Sequence, residues 1–170
     1  MTELKGANVV AKGAGELLWF NGSLATIKVS SDDTKDAFDL VEIFARAGNV
    51  TPLHKDPSCE TFHVLEGELL FHSEGRERRA VVGDTVVVPR GTPHAFLVTS
   101  PTARFLVLNV PGAHDRFFRA AGMPAPAAEL PPPGPPNIAI LKATAPQFGI
   151  EIIGPPPFAA AGTAAPGPKG

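Results

Sequence analysis

The first 110 residues alternate short apolar runs with polar and glycine-containing breaks. These runs are rich in β-branched and aromatic residues, and Gly, Asn, Asp or Pro bounds each of them, which is typical of strands. The pattern predicts strands over 17–20, 24–29, 38–45, 68–72, 76–82, 85–88, 94–98 and 103–110.

The breaks between these runs carry turn residues. Asn21-Gly22 is a strong signal for a two-residue hairpin, and further turns are predicted at 73–75 and at Gly83-Asp84. No helical pattern separates the strands, which favours a barrel or a two-sheet jelly roll over a βαβ fold. The sequence shows no internal repeat, so we expect a single all-β barrel.

The remainder of the chain has a different pattern. Thirteen of the 19 prolines follow residue 122, and the run 131–136 is predicted to be an extended strap or spacer. Short helices are predicted over 114–122 and 137–148, the second weakened by Pro146. We expect the residues from 154 to 170, mainly Ala, Gly and Pro, to be a flexible tail.

Composition restricts the classes of partner. A length of 170 residues is enough for one domain with a sizeable core, and the net charge of −2 disfavours nucleic acid and anionic membranes. The first 20 residues lack the apolar run of a signal peptide, so a cytoplasmic location is expected. Cys59 is the only cysteine, which excludes an intrachain disulfide.

A group of imidazoles and carboxylates points to a metal. His54, Asp56 and Glu60 share parity, and the side chains of an unbroken strand with that parity point to the same face. His94 follows the turn at 89–91 and would bring a fourth group from a later strand. Such ligands suit Fe, Mn, Ni, Zn or Co, so one divalent transition metal is the predicted cofactor.

Other reactive residues receive simpler interpretations. His63 has the opposite parity and is predicted to face outward, while His72 and His114 have no partner motif and are interpreted as structural or exposed. Cys59 is interpreted as a packed thiol, and Lys55 as a solvated charge.

The spacing of the first group resembles a known family motif. Gly48-x5-His54-x-Asp56-x3-Glu60-x6-Gly67 is similar to the first cupin motif, G-x5-H-x-H-x3/4-E-x6-G. The resemblance implies the cupin jelly roll, in agreement with the strands and turns predicted above.

A second stretch strengthens the resemblance. Gly83-x5-Pro89-x-Gly91-x2-His94 is similar to the second cupin motif, which ends in H-x3-N. The segments 16–23 and 148–156 also look like those of small single-domain cupins related to quercetin 2,3-dioxygenases. This more specific likeness covers about residues 8 to 157.

The family binds a divalent metal through three His and one Glu. Carried over, the resemblance implies His54, Glu60 and His94 as ligands, with Asp56 in the second-His slot and Val98 in the final Asn slot. Asp56 is then a fourth ligand, an acceptor that orients an imidazole, a catalytic base, or the mark of a barrel that has lost its metal.

Three functions follow as hypotheses. The first is a dioxygenase that acts with O₂ on an enolic or phenolic, flavonol-like ring, with Glu60 or Asp56 as the proton acceptor. The second is an oxygen-independent isomerase, lyase or cyclase in which Asp56 is the base and the metal polarises a carbonyl. The third is a non-catalytic cupin that binds a small ligand without a metal.

The expected architecture places these residues in one pocket. We expect the barrel over 1–112 with its motifs at 48–67 and 83–98, a helical and proline-rich extension packed on it over 113–153, and the tail from 154. The open edge of a jelly roll also predicts a homodimer. The predicted pocket wall consists of Phe44, Phe62, Val64, Phe96 and Val98.

Overall fold

Twelve β-strands and two short helices lie in residues 6–134 and 137–158, the residues that this computed structural model describes. The strands are β1 (Glu16–Phe20), β2 (Ser23–Val29), β3 (Asp39–Arg46), β4 (Leu53–Lys55), β5 (Cys59–Glu66), β6 (Glu68–Ser73), β7 (Arg76–Val81), β8 (Thr85–Val88), β9 (His94–Val98), β10 (Thr102–Val110), β11 (Met123–Pro124) and β12 (Glu151–Gly154). The helices are α1 (His114–Ala121) and α2 (Ile138–Thr144), and a 3₁₀ turn, Ala145–Phe148, follows α2.

The strands form two antiparallel sheets. The larger has the order β11-β1-β2-β3-β10-β5-β8, and the smaller has the order β12-β4-β9-β6-β7. The prediction of an all-β architecture is confirmed. Each of the eight predicted strands is present, with its ends within one residue of the predicted ones. The turn between β1 and β2 has positive φ at Asn21 (47°) and Gly22 (75°), as a two-residue hairpin of this kind requires.

The core lies between the two sheets and follows from the alternation within each strand. In β3, every second residue from Asp39 to Ala45 is buried, and the residues between them are half-buried. Four phenylalanines from different strands meet in the middle of the barrel, with ring centroids 5.0 to 6.2 Å apart. These are Phe62, Phe71, Phe96 and Phe105.

The stretch from His54 to Val64 is not one continuous strand. The chain leaves β4 at Lys55, turns through Asp56-Pro57-Ser58, and enters β5 in the other sheet. Proline has no N–H with which to continue a ladder, so the strand breaks there. His54 and Glu60 therefore face each other across the barrel from opposite sheets, and their equal parity is not what brings them together.

Four elements close one end of the barrel, and we call α1, α2, the 3₁₀ turn and β12 the C-terminal cap. A second apolar cluster holds the cap together. Phe20 of β1 packs against both clusters, with its ring 5.4 Å from Phe117 and 4.4 Å from Phe118. β12 pairs with β4, so the end of the cap continues the smaller sheet.

The predicted helix over 137–148 is two pieces. The Asn137 side chain accepts the Ile140 N–H at 3.1 Å and caps α2, which ends before Pro146 because a proline interrupts α-helical hydrogen bonding. Gly149 then adopts a left-handed conformation (φ 73°) that turns the chain into β12, a strand that the sequence pattern did not predict.

The proline-rich segment lies along the barrel as far as it is described. The Arg46 guanidinium donates to the Pro131 carbonyl at 2.7 Å, and the Trp19 indole donates to the Glu129 carbonyl at 2.9 Å. The expected flexible tail falls mainly on 159–170, outside the described residues. Within the described part of the chain, neither helix is long and apolar enough to cross a membrane.

Candidate metal centre and its cavity

Two histidines face each other on neighbouring strands. His54 of β4 pairs directly with His94 of β9, and their ring centroids are 4.3 Å apart. Side chains directly opposite in an antiparallel ladder project from the same face, which here is the barrel interior. The sheet register alone therefore brings the two imidazoles together.

Each of these imidazoles is oriented by the backbone two residues earlier. His54 Nδ1 lies 2.8 Å from the Pro52 carbonyl oxygen, and His94 Nδ1 lies 3.0 Å from that of Thr92. A carbonyl can only accept, so Nδ1 carries the hydrogen in both rings and donates it. Nε2 of each ring is then the nitrogen that can bind a metal once it carries no proton, an arrangement common among metal-binding histidines.

Two carboxylates reach the same point. Glu60 of β5 places Oε2 at 2.8 Å from His94 Nε2, and Asp56 places Oδ2 at 3.2 Å from His54 Nε2. Both are buried, with side chains 5% and 1% exposed. One donor atom from each of the four residues lies within 4.8 Å of the other three.

These residues fit a divalent metal by two tests. Two ligands about 2.1 Å from one ion and at right angles to each other are about 3.0 Å apart, close to both nitrogen–oxygen distances above. Among the described residues, Asp56 Oδ2, Glu60 Oε2 and His94 Nε2 have no partner with hydrogen-bond geometry. Buried polar atoms normally have such partners, so their short separations indicate convergence on a common centre.

Neighbouring charges in the cluster shift the pKa values of His94 and Asp56. Burial disfavours the imidazolium of His94, yet the adjacent Glu60 carboxylate holds its pKa above the usual range. Burial also disfavours the Asp56 carboxylate, but His114 and then His54 outweigh it and lower the pKa of Asp56 far below its ordinary value. Asp56 is therefore ionised at neutral pH.

His114 is a site residue that the sequence analysis missed. It begins α1, and its Nδ1 lies 3.3 Å from Asp56 Oδ1, with its side chain 10% exposed. Its ring lies against those of Phe117 and Phe118, 5.7 and 5.4 Å away. The available signal was a histidine at the start of a predicted helix, spaced three and four residues from two phenylalanines.

A largely apolar cavity opens beside the metal cluster. Its interior volume is about 80 Å³, and it is partly open to solvent. Its wall contains His54, Glu60, His94 and His114, whereas Asp56 does not line it. Barrel and cap both supply apolar residues to this wall, among them Phe62, Phe96, Phe117, Leu141 and Ile152.

Three residues predicted for the pocket wall lie elsewhere, whereas Phe62 and Phe96 line the cavity. Phe44 is on the outer face of β3 under the Arg104 guanidinium, 4.3 Å from the ring centroid, because the alternation of β3 turns Ile43 inward instead. Val64 and Val98 are fully buried in the core. Both lie in the barrel core and do not line the cavity.

His63 and Lys55 lie outside this cluster. His63 faces outward and its Nδ1 is 2.9 Å from the Thr85 hydroxyl, as its parity predicted. Lys55 is half-exposed and 3.7 Å from the Glu151 carboxylate.

The family comparison agrees with this geometry. Residues 40–111 match the family model of the cupin domain. The barrel has the cupin jelly-roll fold. The predicted jelly roll and the predicted resemblance to quercetin 2,3-dioxygenase-like cupins are therefore both confirmed.

A curated relative of this cupin is quercetin 2,3-dioxygenase of Bacillus subtilis (strain 168). The two are 30% identical over 126 residues, which is 73% of this chain and 37% of that protein. The chain thus spans little more than a third of the relative's length.

Solved structures share the fold. A predicted oxalate decarboxylase from Thermotoga maritima superposes with a TM-score of 0.57 at 19% identity, covering 61% of this chain and 99% of that one. An RmlC-like cupin from Shewanella frigidimarina gives a TM-score of 0.51 at 16% identity, covering 59% and 88%. At these identities the likeness is one of fold.

Proposed function

We propose that this cupin is a metal-dependent dioxygenase that acts on an enolic or phenolic, flavonol-like ring compound. The observation that carries the proposal is a largely buried two-imidazole, two-carboxylate cluster at the wall of an apolar cavity. The identity to a quercetin 2,3-dioxygenase supports the choice of reaction class.

His54, Asp56, Glu60 and His94 would hold the metal, with Fe, Ni, Mn, Co and Zn as candidates. When bound, a divalent metal supplies Lewis acidity toward a substrate oxygen. The two imidazoles are already fixed by the Pro52 and Thr92 carbonyls, so ordering them at the moment of binding costs little.

Glu60 is the proposed proton acceptor for the substrate hydroxyl. It lines the cavity, whereas Asp56 lies behind the wall, so Glu60 has direct access to a bound ring. Phe62 and Phe96 would lie against the ring and keep water away from reactive species.

Oxygen consumption tests this proposal. The protein is loaded separately with Fe, Ni, Mn and Co, and oxygen uptake is measured with a panel of flavonols and β-diketones. Turnover that disappears in Glu60→Gln, and persists in the outward-facing control His63→Gln, is the expected result. Absence of turnover with every metal and substrate would refute the dioxygenase proposal.

An oxygen-independent lyase, isomerase or cyclase is the second candidate. It is favoured by the presence of a second buried carboxylate, Asp56, in the cluster, with no hydrogen-bond partner among the described residues. Because Asp56 does not line the cavity, as the base it would take the proton through the cluster and not from the substrate directly. Turnover of a carbonyl substrate that continues under strict anaerobiosis selects this reaction. Metal analysis after reconstitution tests a third possibility. If fewer than about a tenth of the chains carry metal, the result would instead favour a metal-free ligand-binding cupin.

Self-association is part of the same proposal. β7 and β8 end the two sheets at one side of the barrel, and each leaves one edge unpaired by another described strand. Such edges are commonly covered by a second copy. Light scattering on the purified protein tests the proposed homodimer, and a monomer mass at micromolar concentration would contradict it.

A further inference from the structure

We infer that His114 is a positioning residue for Asp56, and that it compensates for the carboxylate that stands in the second-His slot of the metal site. This inference rests on the proposed metal site. It assigns to the C-terminal cap a direct role in metal binding, in addition to covering the cavity.

Asp56 lacks the kind of support that orients the two histidines. His54 and His94 each have a second ring nitrogen that donates to a carbonyl and fixes the ring. An ionised carboxylate has no donor, so backbone carbonyls cannot orient it in this way. An aspartate ligand therefore needs a hydrogen-bond donor from elsewhere in the fold.

His114 is placed to be that donor. With Asp56 Oδ2 directed at the metal cluster, 3.2 Å from His54 Nε2, the other oxygen, Oδ1, is 3.3 Å from His114 Nδ1. The two atoms are close enough for a hydrogen bond but not aligned for one, and Oδ1 has no other partner among the described residues, so the inferred bond requires a small rotation of the ring when the metal binds. Carboxylates that bind metals are generally hydrogen-bonded in this manner.

The backbone of His114 is itself held rigidly. The Asp39 carboxylate, fully buried, accepts the N–H groups of both Ala113 and His114 at 2.9 Å. The Asn109 amide donates to the same carboxylate at 2.7 Å. A Cβ at Gly112 would lie 2.6 Å from the Phe38 carbonyl carbon, so glycine is needed for α1 to begin this close to β3.

A residue that only filled space would not need a nitrogen at this position. The two phenylalanines against His114 would pack equally well on another aromatic ring. The two roles are therefore separated by His114→Phe, which keeps the ring and removes the nitrogens, and by His114→Asn, whose amide nitrogen lies near the position of Nδ1.

The experiment measures Co²⁺ affinity by competition with a chelator and by visible absorption, in the wild type and in an Asp56→His background. In the wild type, His114→Phe is expected to lower affinity about 10- to 100-fold and to shift the Co²⁺ absorption bands. His114→Asn should recover most of that loss. In the Asp56→His background, where the new ligand needs no such donor, His114→Phe should change affinity less than about threefold.

Several outcomes would overturn the inference. Equal affinity in wild type and His114→Phe would show that His114 does not support Asp56. An equal loss in both backgrounds would show that it acts only through cap packing, and urea unfolding of the metal-free variants identifies that case. A wild-type protein that binds no Co²⁺ would refute the proposed metal site itself, and the inference with it.

Discussion

The barrel and the C-terminal cap form the same cavity in different ways. The barrel contributes the candidate metal ligands, and it holds them through strand register and through contacts two residues away, as at His54 and His94. The cap contributes mainly apolar surface, and its single polar contribution, His114, reaches the cluster across 58 positions of sequence from Asp56.

This difference predicts which property, metal binding or stability, is affected first when a residue of the barrel or of the cap is replaced. Residues fixed by local backbone geometry keep their orientation whenever the barrel is folded, so loss of one should affect metal binding first. Apolar residues of the cap depend on packing against Phe20 and against one another, so loss of one should affect stability first. The following predictions test that division, beginning with the largest expected effect.

Glu60→Gln should almost abolish metal binding. It removes a charged ligand but keeps the shape of a side chain that lies 2.8 Å from His94 Nε2. We expect at least about a thousandfold loss of affinity, more than the 10- to 100-fold typical of groups that only support a ligand. Metal analysis after dialysis and chelator competition measure it, with His63→Gln as the control. Unchanged metal content would place the centre elsewhere.

Phe118→Ala should lower the free energy of unfolding by about 3 kcal/mol, because it removes a buried ring from the junction of cap and barrel. Urea unfolding of the metal-free protein measures this. The matched control is Phe38→Ala, a half-exposed ring that should cost less than about 1 kcal/mol. Equal costs for the two variants would mean that the cap does not stabilise the fold.

Metal affinity should rise with pH between 6 and 8. The pKa of His94 is raised by Glu60, and a metal must displace the proton from Nε2, so affinity should climb up to about tenfold per pH unit while His94 is protonated. The stability of the metal-free protein should depend on pH in the opposite direction and fall as the pH rises. The contribution of His94 is complete below its unfolded pKa of about 6.5 and is lost as pH rises through the raised value.

Chelator competition and urea unfolding at several pH values test both signs in the same preparations. An affinity that stays flat or falls from pH 6 to 8 would show that no proton on His94 competes with the metal.

Phe44→Ala should have the smallest effect. The ring lies outside the cavity and contacts Arg104, a contact of about 0.5–1 kcal/mol when exposed. Substrate KM and metal affinity should stay at the wild-type values, whereas Phe62→Ala, on the cavity side of the same sheet, should raise KM. A change in KM for Phe44→Ala would contradict this placement and indicate that Phe44 contacts the substrate.

Much of the barrel could be predicted from its sequence because the signals there are local. Strand periodicity and turn residues determine where β1 to β3 and β6 to β10 begin and end. The candidate ligands His54, Glu60 and His94 stand at characteristic distances from glycine and proline turns. Parity groups Asp56 with them, but the break at Pro57 shows that a loop between two sheets positions it.

The cap could not be predicted in the same way because packing, rather than periodicity, determines it. β12 is a four-residue strand that forms by pairing with β4 across almost 100 positions. The contact between His114 and Asp56 depends on where α1 begins relative to the Asp39 carboxylate. Neither contact can be read from strand or helix periodicity. Phe44 lies outside the cavity because the alternation of β3 turns Ile43 inward instead.

Anomalous diffraction from crystals of the Co²⁺-loaded protein tests the central claim most directly. The account predicts a single strong peak about 2.0–2.3 Å from His54 Nε2, His94 Nε2, and carboxylate oxygens of Glu60 and Asp56. Full loading with no peak between these four side chains would contradict it.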